Sequence, residues 1–244
     1  MKRYVFLASD TIRSKCYAQY LETAGIRMAK SILIRSQKSK FGQKLISEEP
    51  PEFSELQVPD YRIDLKHTLR SISDECVELI SNTVNTEEVV LHLKDGYDYA
   101  IFSGFGGEIV KDDVLAAAPP LIHVHAGDLP QFRGSTTFYY SILLNSSILG
   151  VSSIFLDQNI DTGKILSKRS FPLPPPNLDI DYYYDPMMRS ACLIQTLTEI
   201  NTELLLPVDN PFPQDSEYYF IMHPLLRHVA INKIKGVQTL KIFE

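Results

Sequence analysis

A chain of 244 residues is longer than the usual domain of about 150, so one large domain, alone or with a small appendage, accommodates it. With 44% apolar and 22% charged residues it has the balance of a globular protein that folds on its own core, with no need of disulfide or metal staples. Its 24 Lys and Arg against 30 Asp and Glu, a formal charge of −6, argue against a chain that wraps nucleic acid, though not against a small anionic ligand.

The N-terminus has only about five apolar residues in a row, too few for a signal-peptide core, and no run approaches the roughly 18 that a membrane span needs. A cytoplasmic location with no membrane partner is therefore expected. Cys16, Cys76 and Cys192 form no Cys-x-x-Cys pair and read as three reduced thiols.

Tyr4 to Ala8 reads as a strand, and Ser9-Asp10-Thr11 offers caps for a helix from Ile12 to Ala24 that Gly25 closes. Ser31 to Ile34 is a second strand, so the chain opens as a βαβ unit, which favours a parallel sheet covered by helices. Lys38 to Pro59 reads as loop. Ser73 to Ser81 and Glu87 to Lys94 read as helices, the second capped by Thr86.

Strands then follow at Tyr99 to Ser103 and Leu121 to His125, with a helix from Lys111 to Ala118 between them. A loop spans Ala126 to Gly134 and a helix Ser135 to Leu144. Strands are expected at Val151 to Phe155 and Ile165 to Ser170. The proline run Pro172 to Pro176 stops any helix, which places a boundary between a catalytic domain at 1–171 and an extension at 172–244. Within the extension a helix is expected near Pro186 to Thr202, and a final helix or strand pair after Tyr218.

Three segments carry chemistry. They are Ser103-Gly104-Phe105-Gly106-Gly107, then His123-Val124-His125-Ala126-Gly127-Asp128-Leu129-Pro130-Gln131-Phe132-Arg133-Gly134, and Leu156-Asp157-Gln158-Asn159-Ile160-Asp161-Thr162-Gly163. Residues two apart on a strand share a face, so His123 and His125 project together at a strand's C-terminal end, where open α/β sheets place their ligands. Asp161 returns to that place if one further βαβ crossover intervenes.

In this order the segments resemble the folate-dependent formyltransferases, the family of glycinamide ribonucleotide, methionyl-tRNA and sugar-nucleotide formyltransferases. The family's pattern is an Asn-x-His strand end, a Leu-Pro-x-x-Arg-Gly turn and an Asp-Thr-Gly turn. His125 matches the catalytic His, Leu129-Pro130 and Arg133-Gly134 the first turn, and Asp161-Thr162-Gly163 the second. The likeness spans roughly Met1 to Phe171 and implies an α/β fold, a mostly parallel twisted sheet flanked by helices, Rossmann-like, with a small C-terminal appendage.

Two positions depart from the pattern: His123 stands where the family has Asn, and Gly127 where it has Ser. The resemblance further implies 10-formyltetrahydrofolate as formyl donor, with no metal. The pterin would then contact the Gly104 to Gly107 loop with Phe102 and Phe105, and the segment of Leu156, Asp157 and Ile160. The loop lacks the Gly-x-Gly-x-x-Gly spacing of a dinucleotide site, and a plain strand-to-helix turn is its other reading.

Formyl transfer to an amine needs a base, a donor to the developing oxyanion, and a group that holds the base. His125 suits the base, Asp161 the group that accepts its other N–H, and His123 the donor. Two His and one carboxylate also suit a metal triad, so that reading stays open here. Arg133 is either a ligand clamp or a structural hydrogen-bonder.

The acceptor is expected to be a small-molecule amine. The acidic charge and short extension count against tRNA. Tyr182, Tyr183, Tyr184, Tyr218, Tyr219 and Phe220 suit stacking on a nucleotide-linked amino sugar, or else pack the appendage or a homodimer contact. Arg189, Arg227 and Lys233 are available cations for a diphosphate. Rival readings are a formyltetrahydrofolate hydrolase and a catalytically silent folate-binding module.

Overall fold

A computed structural model describes residues 2–36, 49, 51–211 and 218–241. It holds a seven-stranded sheet in the order β3-β2-β1-β4-β5-β7-β8. These strands are β1 (Tyr4–Ser9), β2 (Met28–Arg35), β3 (Ser73–Ile80), β4 (Tyr99–Ser103), β5 (Leu121–His125), β7 (Ile148–Phe155) and β8 (Ile165–Pro172). Every pairing from β3 to β5 is parallel, while β5 with β7 and β7 with β8 are antiparallel. The expected mostly parallel α/β sheet is therefore present. Asp161 lies on the hairpin loop between β7 and β8, however, and not after a βαβ crossover.

Period-two alternation on β1 divides the core into two layers. Tyr4, Phe6 and Ala8 face one cluster, and Val5 and Leu7 face the other. On the first face lie α1 (Ile12–Thr23), α2 (Leu65–Ile72) and α6 (Asp185–Asn201), with α1 packed on both α2 and α6. On the second, α3 (Glu87–Leu93) packs on α4 (Asp112–Ala117). Thr11 caps α1 by accepting from the Ser14 amide, and Thr86 caps α3 by accepting from the Val89 amide, as their sequence positions suggested. The helix beyond the proline run, α6, buries Met187, Met188, Cys192, Leu193 and Leu197 in the same core as α1. A π-helical turn at Ile180–Tyr184 leads into it.

The expected helix at Ser73 to Ser81 is corrected: that stretch is the edge strand β3. Its acids mislead a propensity reading, because a strand at the sheet edge tolerates charge where the neighbouring strand supplies partners. Glu75 stands opposite Lys30 in register and lies 3.2 Å from its Nζ, and Glu78 Oε1 lies 2.7 Å from Arg35 Nε. The amphipathic helix sits one element earlier, in α2. Asp64 caps it through the Lys66 amide, and Leu65, Thr68, Leu69 and Ile72 fall on its buried face at helical spacing.

Two short strands tie the C-terminal segment to the loop after β5. β6 (Arg133–Gly134) pairs in parallel with β9 (Tyr218–Tyr219). Beyond β6, α5 (Thr137–Leu143) packs against the last helix, α7 (Pro224–Lys241). Both alternatives expected after Tyr218, strand and helix, thus occur in succession. Among the described residues no helix is long and apolar enough to cross a membrane.

Candidate active site

β5 puts Ile122 and Val124 into the first core layer, so His123 and His125 project from the opposite face. His125, the last residue of the strand, is 4% exposed and both its ring nitrogens have partners. Nε2 lies 2.6 Å from the Phe132 carbonyl oxygen, and Nδ1 lies 3.3 Å from Asp161 Oδ1. A carbonyl and an ionised carboxylate both only accept, so each ring nitrogen stands opposite an acceptor, Nε2 opposite Phe132 and Nδ1 opposite Asp161.

Asp161 is held from three sides. Its Oδ2 accepts from the Gly134 amide at 2.8 Å, and its carbonyl accepts from Arg133 Nε at 3.1 Å and Asn210 Nδ2 at 2.9 Å. The backbone there is left-handed, at φ 54°. Burial alone would raise the Asp161 carboxyl. Its neighbours His125 and His123 and the Gly134 amide outweigh burial and hold it well below the usual carboxylate range.

Arg133 is fully buried and settles as a structural hydrogen-bonder rather than a ligand clamp. Besides Asp161 it donates to the Pro130, Asn210 and Pro211 carbonyls and to Asn210 Oδ1, the last at 2.6 Å. Gly134 has φ +100° and lies so close to β9 that a Cβ there would meet the Tyr219 carbonyl oxygen at 2.2 Å. Tyr219 in turn stacks on Phe132 at 5.5 Å between ring centroids. The C-terminal segment thus braces both partners of His125.

His123 differs in every respect. It is half-buried, its ring is tilted against Phe102 at 5.9 Å, and among the described residues neither ring nitrogen has a hydrogen-bond partner. Nδ1 is sealed from solvent. Burial pulls the His123 pKa well below its ordinary value; the nearby Asp161 charge opposes the shift, and Arg13, Arg189 and His125 reinforce it. The ring is therefore a neutral imidazole at physiological pH. Among the described residues no group of three His, Cys, Asp or Glu is disposed to hold a metal, so His123, His125 and Asp161 do not form a ligand triad.

The expected folate-contact residues divide in two. Phe102 and Gly104 are buried, and a Cβ on Gly104 would strike the Phe102 ring at 2.4 Å and Glu108 Oε2 at 2.8 Å, so that glycine serves internal packing. Glu108 also accepts from the Phe105 amide at 3.0 Å. Gly106 and Gly107 have open space beside the backbone, and Asp157 and Ile160 are exposed, while Phe105 and Leu156 are half-buried.

Of the aromatic tail, Tyr183 and Tyr184 are buried and Tyr219 sits between Phe132 and Tyr140. Tyr218 and Phe220 are exposed.

A family profile described as formyl transferase matches residues 2–190. The chain belongs to the formyl transferase family. Similar proteins include the methionyl-tRNA formyltransferase of Sulfurovum sp., 32% identical over 45% of this chain and 35% of that protein. That of Levilactobacillus brevis is 25% identical over 64% and 52%. The chain thus spans about half or less of the length of these curated relatives.

Its fold matches a sugar N-formyltransferase from a Shewanella species, with a TM-score of 0.57 and 14% identity over 95% of this chain and 87% of that one. It also matches the N-formyltransferase of Helicobacter canadensis, solved with folinic acid and dTDP-3-aminofucose, with a TM-score of 0.58 and 17% identity over 96% and 81%.

Within the formyl transferase pattern, the structure accounts for Gly127. A Cβ at this position would lie 2.5 Å from both His125 Nε2 and the Phe132 carbonyl oxygen. Only glycine leaves room for the His125–Phe132 bond. The contribution of Asn210 and of the Phe132 carbonyl had no sequence signal, because both are contacts between segments that only the fold brings together.

Proposed function

We propose that this formyl transferase family member moves the formyl group of 10-formyltetrahydrofolate to the amine of a small acceptor, with a nucleotide-linked amino sugar as the leading class. The observation that carries the reading is the His125–Asp161 pair at 3.3 Å beside an unpartnered His123. Support for the acceptor class comes from fold likeness to sugar N-formyltransferases, one of them solved with a dTDP-linked amino sugar. The curated relatives named for methionyl-tRNA are the counterweight.

Attack of the amine on the formyl carbon forms a C–N bond and places negative charge on the formyl oxygen. His123, neutral and with both nitrogens free, donates an N–H to that oxygen; a neutral imidazole is a competent donor and needs no proton of its own to lose. His125 takes the amine's proton on Nε2, which exchanges the Phe132 carbonyl for the amine, while its Nδ1–H stays on Asp161. Asp161, held ionised, accepts from that N–H and stabilises the imidazolium. The proton passes on to the departing folate nitrogen as its bond to the formyl carbon breaks.

The exposed Gly106, Gly107, Asp157 and Ile160 would line the pterin end, and the 172–244 segment would hold the acceptor or a second copy of the chain. Tetrahydrofolate release, measured with and without candidate amines, tests this function. Release that requires an amine is expected. Release without amine would make the chain a hydrolase, and binding without release would make it a silent folate-binding module.

A further inference from the structure

The carbonyl side of Asp161 is held by a residue far outside the strand-end motifs. Asn210 donates from Nδ2 to the Asp161 carbonyl at 2.9 Å and to the Gly163 carbonyl at 3.0 Å. Its Oδ1 accepts from Arg133 Nη2 at 2.6 Å, and Arg133 Nε reaches the same Asp161 carbonyl at 3.1 Å. These bonds close a ring through Asn210, Arg133 and Asp161. The amide fits only one way round, since two carbonyls need its N–H groups and a guanidinium needs its oxygen.

Asn210 is itself anchored. Two residues earlier, Val208 exchanges both backbone bonds with Ile165 at the start of β8, at 2.9 and 2.8 Å. Ile165 in turn is buried with Leu129 and Ile154. The carbonyls of Asn210 and Pro211 also accept from Arg133 Nη2, at 3.0 and 3.1 Å.

The bonds fall where the chain is most constrained. Asp161 has a left-handed φ of 54°, which a non-glycine residue keeps only where its surroundings over-determine it. Gly163 admits no side chain, because a Cβ there would run into the Phe155 carbonyl oxygen. Asn210 bridges the carbonyls of these two residues, and so holds the turn that aims the Asp161 carboxylate at His125. The formyl transferase profile ends at residue 190, so this brace lies beyond the part of the chain that the profile describes.

We propose that Asn210 is a positioning residue for the His125–Asp161 pair, acting through the Asp161 turn, which makes the C-terminal segment a working part of the catalytic unit. This rests on the formyl-transfer reading and deepens it: the boundary expected at the proline run does not divide the chemistry.

Two substitutions separate the bonds. Asn210→Asp keeps the shape and an acceptor for Arg133 but loses both donors to the turn, while Asn210→Ala loses all three side-chain contacts. Both are expected to lower kcat about 10- to 100-fold, the scale of a carboxylate displaced by up to 1 Å, with KM close to wild type. In an Asp161→Asn background neither should cost anything further, because Asn210 acts only through that carboxylate. A loss that multiplies with Asp161→Asn would overturn the assignment, as would full rate in both single variants. Cooperative thermal unfolding, recorded on the same samples, shows that they are folded.

The second readout needs no substrate. An imidazole N–H held on a carboxylate exchanges slowly and resonates at low field in the proton NMR spectrum. The wild-type chain should show such a proton for His125 Nδ1, assigned by its absence from His125→Ala, and both Asn210 variants should lose it. A low-field proton that survives both substitutions would sink the positioning role and leave the transferase reading intact. If the proton depends on Asn210 but the wild-type chain formylates no amine, the positioning of Asp161 stands and the reading of the reaction fails.

Discussion

Two walls of one site are built in opposite ways. Around His125 every polar group is engaged: Nε2 on Phe132, Nδ1 on Asp161, and Asp161 itself on Gly134, Arg133 and Asn210. Around His123, two residues away, the ring has no hydrogen-bond partner among the described residues and the Gly106 and Gly107 backbone faces open space. Buried polar groups in folded proteins are normally satisfied, so the closed wall is what folding alone would produce, and the open wall calls for an explanation outside it. The difference teaches a division of labour. On the proposed function, the closed wall would fix a proton-handling pair in one geometry, and the open wall would hold its unmet donors for molecules that arrive.

Removing the centre of the closed wall should cost most. His125→Ala or Asp161→Asn is expected to lower kcat by about 10²- to 10⁴-fold, the range for general acid–base catalysis. Folinic acid binding should stay close to wild type. Combined, the two losses should not multiply, since the groups act as one unit. Independent, multiplying losses would show that they are not a pair.

The open wall gives the next effect. His123→Ala should lower kcat by about 100- to 1000-fold, the scale for one lost oxyanion donor, while His123→Asn keeps measurable rate because an amide N–H can take the same place. A variant pair that loses equally, with KM rising more than kcat falls, would recast His123 as a contact to the acceptor. Full rate in both would put the oxyanion donor elsewhere.

Gly127 tests how closely the first wall is fitted. Gly127→Ala places a Cβ where only 2.5 Å separates it from His125 Nε2 and from the Phe132 oxygen, so ring or carbonyl must move. A displacement near 1 Å costs about 10²-fold in rate. The loss should fall on kcat and spare KM. An alanine variant at full speed would mean that the Phe132 bond does not position the working ring.

The two walls also differ in how far the sequence reveals them. The strands β1, β4 and β5 are apolar runs between turn signals, and their bounds are readable almost to the residue. His123, His125 and Asp161 are picked out as a set by the resemblance of three short motifs to the formyl transferase family, while the expected βαβ crossover to Asp161 is a β-hairpin instead. The edge strand β3 was hidden, since Glu75 and Glu78 are accounted for by Lys30 and Arg35 on a neighbour some 45 residues away in the chain. The brace from Asn210 and Tyr219 was hidden for the same reason: β6 and β9 are two residues each and carry no periodic signal. Arg133 was ambiguous until its burial and five carbonyl or amide-oxygen contacts made it structural. Contacts made by topology, rather than by local pattern, are the part a sequence conceals.

The smallest expected effect bears on the open wall alone and needs no substrate. The His123 pKa is lowered in the folded chain, chiefly by burial, so the folded ring refuses a proton that the unfolded ring accepts below about pH 6.5. Where the unfolded state binds more protons, stability falls as pH falls. The wild-type chain should therefore lose stability between about pH 6.5 and the depressed folded pKa, by at most about 1.4 kcal/mol per pH unit from this group. Above pH 7 the ring is neutral in both states and contributes no slope. His123→Asn has no proton to refuse, so the difference in unfolding free energy between the two chains, followed by denaturant titration from pH 8 to pH 5, should shift in the variant's favour as the pH drops. Other titrating groups act on both chains and cancel in that difference to the extent that they do not contact residue 123. A difference that stays flat across this range would mean that the ring is protonated as readily in the folded chain as in the unfolded one, so burial would not be what holds the donor of the open wall neutral.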